Sequence, residues 1–287
     1  MYRNTKWANE IRRLQDTEGK WGWFHTLSRS SGGAITTEQA LRRLHCLGFT
    51  MEDDCIQKAV AYMDACLRGE KEIPDRREKL HDWDVFTELM LAAWIRVFTH
   101  ENQTANQVAR RWARIITAAF SGGDYNHDAY VAAYRELHGR KPTGGRLIDF
   151  VNFYPVALLP GFLDRQTEDR YISHILNHET GIYYLYEDRI ADLPERFASR
   201  KTSRYLTAVE LLSEYPCGGA QLRFVADWLE REMLSDHRWD LGREAKDGIY
   251  FPLSDHWSKE ETRIADCTYR ISRLLNKLRE TERNGYA

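Results

Sequence analysis

The sequence predicts an all-α fold assembled from helical hairpins. Apolar residues recur at helical spacing almost everywhere, and no alternating apolar and polar run long enough for a strand interrupts them. Breakers divide the pattern into paired segments with a period of about 40–50 residues, the signature of a repeated supersecondary unit.

Each helix has its own justification. Ile56, Val60, Met63 and Leu67 lie at steps of four, three and four, on one helix face; Ala105, Val108, Trp112, Ile115 and Ala119 repeat the stripe. Leu222, Val225 and Leu229 form a third, and Ile264, Cys267, Ile271, Leu274 and Leu278 a fourth. Thr36 with Gln39, Thr50 with Asp53, Thr104 with Gln107 and Ser258 with Glu261 have the hydroxyl-to-carboxylate or amide spacing that satisfies free N–H groups at a helix start. Gly69 to Pro74, Gly122-Gly123, Gly139 to Gly145, Pro194, Pro216 to Gly219 and Gly242 to Pro252 punctuate the chain. The resulting hairpins cover roughly 38–67, 84–119, 128–176 and 204–234, with a single helix near each end. Such hairpins cannot bury their apolar faces alone and must stack or close on one another. No terminal helix is polar all round, as an open solenoid's cap would be, which favours closure into one domain spanning 1–287.

Composition removes several function classes. A net charge of -2 on 41 basic and 43 acidic side chains provides no global field for nucleic acid or anionic lipid. No run approaches the roughly 20 apolar residues that span a bilayer, and Met1 to Trp7 lacks the apolar core of a secretory signal. Five cysteines, an odd number set mostly in helical patterns, suit a reducing cytoplasm and packing as small hydrophobes. The 9 Trp, 15 Tyr and 11 Phe supply rigid surface that can line a core or a pocket. Oligomeric state is not readable from the chain.

Two Trp-bearing turns stand near the chain ends: Asp16-Thr17-Glu18-Gly19-Lys20-Trp21-Gly22-Trp23-Phe24, and Arg238-Trp239-Asp240-Leu241-Gly242 followed by Tyr250-Phe251-Pro252-Leu253-Ser254-Asp255-His256-Trp257. With the hairpin period they resemble the turn-and-helix repeats of the α/α-toroid superfamily that includes terpene cyclases and protein prenyltransferases. The resemblance implies a toroid-like ring of hairpins whose first and last segments meet at a seam. It implies an isoprenoid-type hydrophobic ligand in a central aromatic cavity.

Candidate chemistry begins at His81-Asp82-Trp83-Asp84, before an apolar helix. Asp82 and Asp84 are the candidate catalytic residues: two carboxylates there can hold Mg²⁺ with a diphosphate, or one can protonate an alkene if burial raises its pKa. Capping of a first turn uses the same residues. The resembling cyclases use an Asp-x-Asp-Asp motif, whereas this segment reads Asp82-Trp83-Asp84-Val85. The resembling prenyltransferases hold zinc with an Asp and a Cys two residues apart plus a distant His. Here Asp266 and Cys267 are adjacent and diverge by about 100° on a helix, which speaks against zinc, and no metal ligand is assigned.

The candidate ligand contacts are Trp83, Tyr154, Trp257, Arg263, Arg140, Lys141 and Arg146. Gly139-Arg140-Lys141-Pro142-Thr143-Gly144-Gly145-Arg146 is a basic glycine-rich loop able to offer N–H groups and charge to a diphosphate, or to serve as a plain connection. Asn152-Phe153-Tyr154-Pro155 opens an apolar run with a second proline at Pro160, so a kink or break there would expose Tyr154 and Asn152 to a cavity. Trp257 and Arg263 belong to the last turn, either stapling it or reaching the cavity beside Trp83. His174 and His178 share a helix face, but Ile175 stands where a metalloprotease needs glutamate. No Gly-x-Ser-x-Gly elbow or Cys/His nucleophile signature is present.

Three functions fit these readings: a prenyltransferase- or cyclase-like enzyme, a non-catalytic toroid binding a ligand or protein, and a carbohydrate-active enzyme using two of Asp82, Asp84, Asp255 and Asp266.

Overall fold

The structure, a computed structural model, describes residues 2–26, 35–79, 82–145 and 149–285. His81 and Arg146 lie outside these ranges. The described residues are all-helical apart from turns and two isolated β-bridges, Asn152 with Tyr183 and Ile182 with Tyr186. In chain order the helices are α1 (Lys6–Leu14), α2 (Thr37–Cys46), α3 (Asp54–Leu67), α4 (Trp83–Phe98), α5 (Gln103–Ala119) and α6 (His127–His138). They continue as α7 (Phe153–Leu158), α8 (Arg165–Asn177), α9 (Arg200–Leu212), α10 (Gly218–Gln221), α11 (Arg223–Arg231) and α12 (Glu260–Gly285).

Of the expected hairpins, 84–119 is seen as α4 packed on α5; α3 also packs on α4, α10 and α11 on α12, and α4 on α7. Sequence decides which helices lie innermost. In α4 every residue from Leu89 to Arg96 is buried, so apolar surface is covered on all sides. In α5 the buried set is a stripe from Ala105 to Ala119 opposite a charged face. The apolar cluster runs from Tyr2 to Leu278 and contains Trp21, Trp94 and Trp112, each nearly inaccessible to water. Each large side chain buried this way contributes roughly 2–3 kcal/mol.

Helix starts follow the expectation at α2, where Thr36 and Gln39 form a reciprocal capping box. Elsewhere they differ. Asn102 rather than Thr104 caps α5, accepting from the Ala105 N–H at 2.8 Å. Thr50 and Asp53 close a turn that precedes α3, with the Thr50 N–H donating to Asp53 at 2.8 Å. α12 begins at Glu260 because a turn joining Lys259 N–H to His256 C=O at 3.0 Å occupies the residues around Ser258.

The two Trp-bearing turns are wired alike. The Trp21 indole N–H donates to the Ile11 carbonyl at 2.7 Å, and the Trp239 indole N–H to the Leu229 carbonyl at 2.7 Å. Both acceptors lie ten residues upstream, in α1 and α11. The backbone N–H of each Trp donates to a threonine hydroxyl on the following helix, Thr37 at 2.9 Å and Thr268 at 3.1 Å. The turns thus tie α1 to α2 and α11 to α12. Gly19 is required in the first: at φ +99° a side chain is strained, and a Cβ would meet the Lys58 carbonyl at 2.4 Å.

Segments near the two ends of the chain meet. The Lys6 N–H at the start of α1 donates to the Asp255 carboxylate at 3.0 and 3.2 Å. Tyr2 meets Tyr269 of α12 edge to face, ring centroids 5.1 Å apart. No helix among the described residues is long and apolar enough to cross a membrane.

Candidate functional site

The first turn of α2 positions a carboxylate in the fold's interior. Its N–H groups are received by the preceding Trp-bearing segment, Thr37 N–H by the Trp23 carbonyl at 2.9 Å and Glu38 N–H by the Phe24 carbonyl at 3.1 Å. Asp75 fixes that segment by accepting from the N–H groups of Phe24 and His25 at 2.6 and 2.9 Å. Glu38 is thereby directed inward, where it is 1% exposed.

A buried carboxylate is costly unless hydrogen-bonded, and Glu38 is bonded at both oxygens. Oε1 accepts from the Trp94 indole N–H at 2.7 Å and the Tyr154 hydroxyl at 2.9 Å; Oε2 accepts from the Thr26 N–H at 2.7 Å. His25 Nε2 lies 3.8 Å from Oε2 and 3.2 Å from the Tyr184 hydroxyl. Placement in the first turn of α2 adds favourable helix-dipole potential.

Aromatic rings enclose this group. Phe86 meets His25 at 5.2 Å, Tyr154 at 5.7 Å and Trp83 at 6.0 Å between centroids, and Tyr154 meets Tyr184 at 5.5 Å. Tyr184 stacks on Tyr183 at 4.2 Å and holds φ +73°. A bulky residue in that conformation is strained and persists only where its surroundings fix it. Burial, then the neighbouring Tyr183 and Glu38, hold the Tyr184 phenol well above its ordinary range, and burial with Glu38 does the same for Tyr154.

Tyr154 reaches the centre because the helix that carries it is broken. Asn152 caps α7, accepting from the Tyr154 N–H at 2.9 Å, and the helix ends after six residues, before Pro160. A short buried helix leaves carbonyls without intrahelical partners. Arg96 meets two of the carbonyls around its end, donating to Leu158 at 2.7 Å and Pro160 at 2.6 Å, and the Tyr215 hydroxyl meets Val156 at 2.7 Å. Burial pushes the Arg96 guanidinium down to about 10.

One turn beyond Glu38, Arg42 is half-buried. Its guanidinium lies over Phe153 at 4.6 Å and Trp94 at 5.4 Å, and donates to the Tyr250 hydroxyl at 3.0 Å. Further along the same helix side, Cys46 is half-buried and His45 exposed. Burial nevertheless pushes the Cys46 thiol up to about 11 and the His45 imidazole down.

The residues singled out from the sequence are dispersed around this centre. Tyr154 is in it, and Trp83, half-buried, sits at its edge through Phe86. Asp82 and Asp84 are separated: two positions apart at a helix start, they project to different sides. Asp82 is 6% exposed, accepts from the Tyr134 hydroxyl at 3.0 Å and pairs with Arg140 Nε at 3.2 Å. Asp84 is exposed and pairs with Arg77 at 2.8 Å. Arg140 therefore ties the glycine-rich loop to α4, helped by the Asp82 N–H donating to the Thr143 carbonyl at 3.3 Å. Lys141 instead borders an open surface recess of about 540 Å³ lined by Asp128, Arg135 and Glu136. A second recess of about 570 Å³ lies between Arg12, Phe49 and Lys58, and neither includes a residue of the Glu38 cluster.

Trp257 and Arg263 staple the last turn. The Trp257 indole N–H donates to the Arg243 carbonyl at 3.1 Å, with its ring on Phe251. Arg263 grips Asp240 with two bonds of 2.7 and 2.6 Å. Asp266 accepts from the Leu253 and Ser254 N–H groups at 3.0 and 2.9 Å, and Asp255 from Lys6, so these carboxylates hold backbone at separate places. Among the described residues no three His, Cys, Asp or Glu side chains gather into a metal-holding set.

Sequence reasoning did not single out Glu38, Trp94, Arg42 or His25. The available signal was the stripe Glu38, Arg42, His45 on α2, polar residues at helical spacing beside Leu41 and Leu44. No protein-family model, curated protein or solved structure matches this chain.

Proposed function

We propose that the chain closes into an α/α-toroid-type ring, resembling terpene cyclases and prenyltransferases in architecture. Its centre binds a small hydrophobic ligand of isoprenoid type against the aromatic wall around Glu38. The observation that carries this reading is the convergence of Trp94, Tyr154 and His25 on one buried carboxylate, with Phe86, Tyr184 and Trp83 around it. Closure is supported by the Lys6–Asp255 contact and by the like wiring of Trp21 and Trp239.

Glu38 accepts three hydrogen bonds, so this reading makes it the organiser of the wall. Asp82 and Asp84 do not share a site, so metal-assisted diphosphate departure at that pair is not part of the reading. The function is ligand binding. Five free thiols support a reducing, cytoplasmic setting.

Thermal unfolding in the presence of prenyl alcohols, prenyl diphosphates and oligosaccharides, with and without Mg²⁺, tests it. A ligand that binds only the folded state raises the midpoint by mass action. The expected result is stabilisation by prenyl compounds, independent of Mg²⁺ and retained in Asp82→Asn. No stabilisation by any prenyl compound sinks the reading, and a Mg²⁺-dependent shift lost in Asp82→Asn would restore the enzymatic one.

A further inference from the structure

Arg43, Arg96 and Arg270, all buried, each make two or more hydrogen bonds, whereas half-buried Arg42 makes one among the described residues. Arg43 donates to the Ile249 and Pro252 carbonyls. Arg96 donates to Leu158, Pro160 and Asn106. Arg270 binds Glu210 through two bonds of 2.7 and 2.9 Å and also reaches Ser203 and Thr207. Arg42 donates one N–H to Tyr250, and among the described residues its other N–H groups have no hydrogen-bond partner.

A guanidinium has five N–H donors in a planar fork. Phe153 and Trp94 cover ring-facing surface of Arg42 at 4.6 and 5.4 Å, and Tyr250 holds one terminal nitrogen. What remains is the Nε edge with the second terminal nitrogen, a pair of parallel donors whose geometry matches the two oxygens of a carboxylate. Water reaches this side chain, and further along α2 lie half-buried Cys46 and exposed His45, whose ring is 5.6 Å from that of half-buried Phe98.

Charge selects among anions. Arg43 and Arg270 are engaged elsewhere, and Glu38, one turn away on α2, opposes accumulation of negative charge. A single guanidinium fork beside the Glu38 carboxylate suits a monoanion rather than a diphosphate.

We propose that Arg42 is the recognition residue for the carboxylate of an amphipathic acid. This deepens the preceding reading and rests on it for the apolar part of the ligand. Arg42 selects the ligand's polar end, and Tyr250 is a positioning residue that orients the fork.

Isothermal titration of a matched series, a prenyl acid, the corresponding alcohol and the corresponding diphosphate, tests the assignment, with phenylacetate as a short carboxylate lacking a prenyl chain. In the wild type the acid is expected to bind on the order of tenfold or more tighter than the alcohol, the worth of a charge-assisted pair. Arg42→Met should erase that gap while leaving alcohol affinity unchanged, and Arg42→Lys, which keeps charge and loses the fork, should recover only part of it. Tyr250→Phe should weaken the acid alone.

Equal affinity for acid and alcohol in the wild type overturns the assignment, as does a gap that survives in Arg42→Met. Tighter binding of the diphosphate overturns it in favour of a polyanion. If no prenyl compound binds but phenylacetate binds in an Arg42-dependent way, the isoprenoid reading fails and the carboxylate assignment stands. Absence of binding by every member of the series overturns both. Should Arg42→Met not fold, the wild-type ranking and Arg42→Lys still decide.

Discussion

The hydroxyl of Tyr154 donates to Oε1 of Glu38 at 2.9 Å across 116 positions of sequence, joining the first turn of α2 to the short helix α7. Removing that hydroxyl tests how far the buried carboxylate depends on its donors. Tyr154→Phe should destabilise the fold by about 1.5–3 kcal/mol, the usual loss for a hydrogen bond to a charged group. Glu38→Ala should cost more, because the Trp94 indole and the Thr26 N–H both lose their acceptor. Urea denaturation of the two variants gives the order directly, and a Tyr154→Phe effect below about 0.5 kcal/mol would contradict it.

Trp21 and Trp239 make the same two bonds in their respective turns. Trp21→Phe and Trp239→Phe retain the apolar ring and remove the indole donor, leaving the Ile11 or Leu229 carbonyl unmet. Each should cost about 1–3 kcal/mol, and the two should agree. A large loss in one and none in the other would show that the likeness of the turns is geometric but not energetic.

Asp82 joins three parts of the fold: the start of α4, Tyr134 on α6 and Arg140 of the glycine-rich loop. Asp82→Ala leaves the Tyr134 hydroxyl buried without its acceptor and releases Arg140. Destabilisation of about 1–3 kcal/mol is expected. Hydrogen exchange should rise selectively in residues 139–145, and unchanged exchange there would mean that Asp82 does not hold the loop.

His174 lies among the rings of Phe120, Tyr125 and Phe150. Burial, and then the adjacent His178, push its imidazole down to about 4 from 6.5. In the window between those values the unfolded chain takes up a proton that the folded chain does not, so stability is full above the unfolded value and declines as pH falls through the window. Burial lowers His45, His100 and His138 as well, acting in the same direction. Between about pH 7 and about pH 5 the His174 share should be on the order of 1–2 kcal/mol. His174→Phe should flatten the acid limb of urea midpoints by that share, and an unchanged limb would contradict the assignment.

Local features of the fold were legible in the chain because they are written in near-neighbour chemistry. The capping box at Thr36, the breaks at Gly139 and Pro160 and the apolar stripe of α5 depend on residues within a few positions of each other. Asn102 shows the limit of that logic: its amide oxygen, two residues before Thr104, took the cap. The centre was less legible. Glu38 reads as an ordinary first-turn acid until the Trp23–Phe24 carbonyls direct it inward, and its donors come from Trp94 and Tyr154, whose proximity no spacing encodes. Tyr154 could be singled out because two prolines break its helix. Asp82 and Asp84 share a motif but not a site, since helical geometry sends neighbours two apart to different sides.

The proposed function makes the interior around Glu38 a binding site for an apolar ligand. A crystal structure of the protein grown with a saturating prenyl alcohol tests it most directly. Ordered ligand density is expected against Phe153, Trp94 and Tyr154, with Glu38 still accepting from Trp94. Density confined to the outer surface, or an interior that admits no ligand at saturation, would contradict it.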